Sequence, residues 1–83
     1  MKQTASNLAA LTPGESGVVD VVGGEGALHR HLLDMGLTPG VRVTLIKTAP
    51  MGDPLEVRLR GYSLTLRRAD AEKITLRGGE SGR

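Results

Sequence analysis

With 83 residues, the chain supports one domain at most and only a modest core. The absence of cysteine excludes disulfide staples and thiolate metal centres, and a single tyrosine leaves Leu, Val, Ile, Ala and Met to build the interior. The net charge of +2, from 11 Lys/Arg interspersed with 9 Asp/Glu, is too small an excess to argue for nucleic acid by itself.

The opening residues, MKQTASNLAAL, carry one lysine and no long apolar run, so they do not read as a secretory leader. No apolar stretch approaches the roughly 20 residues that span a bilayer. The expectation is a soluble, cytoplasmic protein. Residues 1–7 are polar and expected to fray, and residues 8–11 (LAAL) form an apolar lead-in. The run Thr12-Pro13-Gly14-Glu15-Ser16-Gly17 has turn chemistry, because proline presets one dihedral and glycine permits positive φ. Residues 18–22 (VVDVV) are rich in β-branched side chains and predict a first strand, ended by Gly23-Gly24-Glu25-Gly26.

Residues 27–35 predict a helix with Leu28, Leu32 and Met35 on one face, stopped by Gly36. After the turn Thr38-Pro39-Gly40, residues 41–48 alternate, with Val41, Val43 and Leu45 on one side and Arg42, Thr44 and Ile46 on the other. Residues 49–54 hold two prolines and a glycine and predict a loop. Residues 55–60 (LEVRLR) alternate again, Gly61 supplies a hairpin turn, and residues 62–66 (YSLTL) return with Leu64 and Leu66 inward. A helical turn over 68–72, a last strand over 73–77 and a glycine-rich polar tail over 78–83, expected to be disordered, complete the chain.

Five short strands, one early helix and one late helical turn predict a mainly β domain with a short helix, closed into a small SH3-like β-barrel. A five-stranded OB-type barrel is the competing topology. The whole of 1–83 reads as one such domain, with its core over about 8–77. Leu45, Val57, Leu59, Leu64 and Ile74 are expected to share that core.

No catalytic constellation is present. Ser16, Ser63, His29 and His31 lack a nucleophile elbow or a supporting acid, and so small a chain cannot enclose a deep pocket. The glycines before the helix lack the Lys-Ser/Thr of a P-loop. His29 and His31 stand two apart on a helix and point to different sides, but Glu25 with His29 and His31 with Asp34 are properly spaced pairs. Neither pair completes a site alone. A divalent ion held there, zinc more readily than iron, is therefore expected to be adventitious or shared between molecules. Arg42, Arg58, Arg60, Arg67 and Arg68 offer a basic surface, yet one tyrosine is too few aromatic platforms for single-stranded nucleic acid. Leu33, Leu37, Ile46 and Met51 fall outside the inward sets. They either complete the core or form an apolar contact patch; Met51 is the best candidate for exposure.

Four pieces, in this order and spacing, resemble the FeoA family of small bacterial proteins. They are Thr12 to Val19 (TPGESGVV), Leu32 to Gly40 (LLDMGLTPG), Ala49 to Pro54 (APMGDP), and Arg60-Gly61-Tyr62 with Leu66-Arg67. His31 stands where that family commonly has arginine, and Met51 where leucine is frequent. The resemblance implies an SH3-like barrel that acts, as an accessory or regulator and not as an enzyme, beside FeoB, the membrane ferrous-iron transporter with a cytoplasmic GTPase domain. Contact is expected through Arg30, Leu33, Leu37 and Met51, with membrane association only through the partner, no required cofactor and self-association as a further option. The rival functions are an RNA-binding barrel using the arginine face and a divalent-metal sensor.

Overall fold

A computed structural model describes residues 6–77 of the chain. The glycine-rich tail, and residues 1–5, lie outside the described residues. A 3-10 turn, Leu8–Ala10, opens the fold. It is followed by β1 (Ser16–Val22), α1 (Gly26–Asp34), β2 (Arg42–Thr48), β3 (Leu55–Leu59), β4 (Tyr62–Leu66), α2 (Arg68–Ala71) and β5 (Ile74–Arg77). The strands form one antiparallel sheet in the order β4-β3-β2-β1-β5.

Alternation decides which side chains enter the core. Val43 and Leu45 of β2, Leu55, Val57 and Leu59 of β3, and Ile74 and Leu76 of β5 are all buried. Leu64 is half-buried and packs against this cluster from its edge, short of the full burial expected. Leu32 brings α1 onto the core, and Leu28 and Met35 on the same helical face pack beside it.

Two bulges adjust the alternation. In β2 the pairing steps from Leu45↔Val57 to Lys47↔Glu56, which leaves Ile46 as the extra residue. Ile46 is half-buried, like Thr44 on the same side of β2, and lies outside the core. A similar step between Val19 and Val21 lies in β1 where it meets β5. The β3–β4 hairpin is shorter than its alternation implied. Arg60 (φ 51°) and Gly61 (φ 85°) are its two turn residues, so Arg60 belongs to the turn and not to β3. Positive φ at both positions is the geometry whose twist matches a right-twisted strand pair.

The hydrogen-bonded order has two ends, so the sheet does not close into an unbroken ring. The β5 end is covered by the start of the described chain. Leu76 N–H donates to the Ser6 carbonyl at 3.0 Å, and Asn7 bridges to Thr75. Asn7, expected to fray, also accepts the Ala10 N–H on Oδ1 at 3.1 Å and so caps the 3-10 turn. Leu8 and Leu11 are buried from this segment.

Candidate functional site

The loop over 49–54 joins β2 to β3. Gly52 N–H donates to the Ala49 carbonyl at 2.7 Å, which closes a β-turn with Pro50 second, Met51 third and Gly52 fourth. That residue order suits a type I turn. A second bond, Ala49 N–H to the Pro54 carbonyl at 3.0 Å, seals the base. The start of α2 then clamps the loop from outside. Arg68 N–H donates to Asp53 Oδ1 at 2.9 Å, and Arg68 Nη1 donates to the Gly52 carbonyl at 3.2 Å. Met51 stands at the tip of this fixed loop, 90% exposed. At its foot lies an open groove of about 490 Å³, lined among others by Lys47, Pro50, Pro54, Glu56 and Thr65.

The end of α1 is built on a different plan. Leu37 N–H donates to the Leu32 carbonyl at 3.2 Å and Gly36 N–H to the Leu33 carbonyl at 2.9 Å, with Gly36 at φ 102°. This is a Schellman stop, in which the residue after the glycine folds back onto the last helical turn. Leu37 is accordingly 0% exposed. That corrects its assignment to a contact surface: it belongs to the core. Leu33 is half-buried against the core, and Arg30 is exposed on α1. The Tyr62 hydroxyl donates to the Met35 carbonyl and fastens the helix end to the β3–β4 hairpin.

These anchors separate the two turns. The helix end rests beside Leu59 and Tyr62, whereas the loop adjoins Leu55. Leu55 and Leu59 are the opposite ends of β3, four steps of about 3.3 Å or roughly 13 Å apart. The helix end and Met51 therefore do not form one compact patch.

Among the described residues, no three His, Cys, Asp or Glu side chains come close enough to hold a metal ion together. His29 Nδ1 lies 3.2 Å from the Gly23 carbonyl, to which the protonated nitrogen donates. Glu25 sits just before α1, and His31 and Asp34 are exposed on it. The Ser16 and Thr44 hydroxyls bond to each other at 2.7 Å. Of the arginines, Arg68 is spent on the loop, while Arg42, Arg58, Arg60 and Arg67 are exposed and form no ion pair among the described residues. Glu56 pairs with Lys47 at 3.9 Å and not with an arginine. Asp53 and Arg68 were not foreseen as loop anchors. They stand 15 residues apart, and only the folded chain joins them.

No helix among the described residues is long and apolar enough to cross a membrane. Residues 6–78 match the FeoA domain family. Over 67 residues the chain is 37% identical to the Fe(2+) transport protein A/Fe(2+) transporter FeoB fusion protein of Porphyromonas gingivalis, covering 81% of this chain and 8% of that relative. The solution structure of the FeoA protein from Chlorobium tepidum superposes with a TM-score of 0.82 at 38% identity, covering 93% of this chain and 73% of that one. A zinc complex of FeoA from Stenotrophomonas maltophilia, a prokaryotic SH3 domain protein, superposes with a TM-score of 0.77 at 27% identity, covering 88% and 91%. With that match running through every described element, the chain belongs to the FeoA domain family and has its SH3-like fold.

Proposed function

We propose that this protein is an accessory or regulatory component of bacterial ferrous-iron uptake, acting by contact with the cytoplasmic part of a FeoB-type transporter. The observation that carries this reading is the relative in which a matching segment is continuous with FeoB. Covalent joining holds two modules at high effective concentration, and such a fusion is useful when they act together. In this reading the chain is not itself a catalyst, requires no resident cofactor and meets the membrane only through its partner. A divalent ion, zinc or iron, enters only between molecules, on Glu25, His29, His31 or Asp34.

The contact centres on Met51. A thioether on a clamped loop combines adaptable shape with a fixed position, and the adjoining groove is lined by Pro50 and Pro54 together with Lys47 and Glu56. A small apolar centre with a polar rim is the usual make-up of a non-obligate interface. Burying Met51 contributes about 1.5–3 kcal/mol before association costs. Leu33 and Arg30 join only if the partner also spans the length of β3. Met51→Asp should leave the fold intact and weaken both pull-down of the transporter and iron-dependent growth, whereas Arg58→Glu should matter less. The reverse ranking would move the contact to the arginine face.

A further inference from the structure

The two ends of the sheet are treated differently. The β5 end is occupied by Ser6 and Asn7, whereas no described segment pairs with the outer side of β4. The groups left open on β4 follow from its turn. A two-residue hairpin closes on a hydrogen-bonded pair, here Leu59 and Tyr62, and the alternation then makes Val57↔Leu64 and Leu55↔Leu66 bonded pairs as well. Ser63 and Thr65 therefore turn their N–H and C=O groups outward. Both residues are exposed, and neither backbone makes a bond to a loop or turn among the described residues.

Exposed edges are normally blunted by lysine, proline, an inward charge or a bulge. The sequence of β4, YSLTL, has none of the residue devices, and its five-pair ladder to β3 carries no register shift. The charges lie around it instead. Arg60 is in the turn before β4, Arg67 follows directly after it, and Arg58 stands opposite Ser63 on β3. All three are exposed and without an ion pair among the described residues. On the core side, half-buried Leu64 and 44% exposed Tyr62 leave apolar surface at the margin.

We propose that the free edge of β4 is a docking site for an extended acidic segment of a partner protein, added as a further antiparallel strand through the backbone of Ser63 and Thr65. Such strand addition draws affinity from main-chain bonds and selectivity from flanking side chains. The segment suited to this edge has apolar residues at alternate positions, beside Leu64 and Tyr62, and carboxylates at both ends, beside Arg60 and Arg67. A second copy of the chain fits less well. A two-fold axis through Leu64 sets Ser63 against Thr65, but it also brings the Arg60 turn of each copy toward Arg67 and Arg68 of the other. Thr65 also lines the groove beside the Met51 loop, but the edge is engaged through its backbone and does not require Met51.

The test uses the full chain and a synthetic probe, acetyl-Asp-Glu-Val-Thr-Val-Thr-Val-Glu-Asp-amide, with a control in which lysine replaces every acid. The acidic probe should bind at least about tenfold more tightly than the lysine control and lose affinity as salt rises toward about 0.5 M. It should also slow amide exchange at Ser63 and Thr65. Thr65→Pro should weaken binding at least about tenfold with little change in melting temperature, because its N–H faces away from β3. Met51→Asp should bind the probe like the parent, which separates this result from that of the transporter contact. Equal binding of both probes, no binding at millimolar concentration, or exchange slowed elsewhere would overturn the proposal. So would protection of Ser63 and Thr65 that grows with protein concentration alone, since the occupant would then be a second copy. If Thr65→Pro does not fold, the exchange pattern of the parent decides.

Discussion

The turns at Gly36 and Gly52 each carry an apolar side chain beside the glycine, and the backbone sends those side chains in opposite directions. Leu37 follows Gly36 in a Schellman stop, where the 3.2 Å bond to the Leu32 carbonyl draws it over the last helical turn. Met51 precedes Gly52 as the third residue of a β-turn, where both neighbours curve away beneath it. Leu37 is buried and Met51 is the most exposed large apolar side chain described. Composition alone does not distinguish them. What distinguishes them is whether the glycine ends a helix that still has carbonyls to satisfy.

The comparison can be broken by substitution, and the largest effect belongs to the helix stop. Leu37→Ala should cost about 2–5 kcal/mol, read as a lower urea midpoint, through lost burial and a residual cavity. If it costs no more than Met51→Ala, the Schellman packing is not what orders that region. Gly36→Ala comes next. An added Cβ would meet the Tyr62 hydroxyl and Leu59, in a backbone conformation at φ 102° that disfavours side chains. A loss above about 1 kcal/mol is expected, measured in the same way.

Effects at the loop should be smaller and local. Asp53→Ala removes the acceptor for the Arg68 N–H. The expected cost is about 0.5–1.5 kcal/mol, together with faster amide exchange at Gly52. A global loss as large as that of Leu37→Ala would mean the loop is part of the core's cooperative unit. Met51→Ala should change stability by less than about 0.5 kcal/mol, because an exposed tip has little packing to lose.

Much of the fold was legible because period-2 alternation was clean wherever one strand face is buried. Leu55, Val57 and Leu59 are the clearest case, with Leu45 and Ile74 across the sheet. The misplacements have local causes. Ile46 keeps its place on the outer face of β2, but the bulge there was not readable, because no residue type announces an inserted residue. Arg60 was read as strand because arginine is rarely a positive-φ turn residue. Leu37, by contrast, was readable: an apolar residue one place after a helix-ending glycine commonly packs on the helix it leaves. At the candidate site, Met51 was singled out correctly as exposed, but the Asp53–Arg68 clamp was invisible because it depends on where α2 lands. The candidate contact set also assumed that nearness in sequence pattern meant nearness in space. Leu33 and Leu37 sit by one end of β3 and Met51 by the other.

The bond between the Ser6 carbonyl and Leu76 N–H has a consequence for how this domain can be wired to others. The first and last described stretches of chain lie side by side. A neighbour attached next to Ser6 or next to Arg77 would start from the same side of the described domain. The same closeness makes the ends suitable for joining by a short linker, with new ends opened at the Arg60-Gly61 hairpin turn, so the order of the strands along the chain can be rotated without altering their order in the sheet.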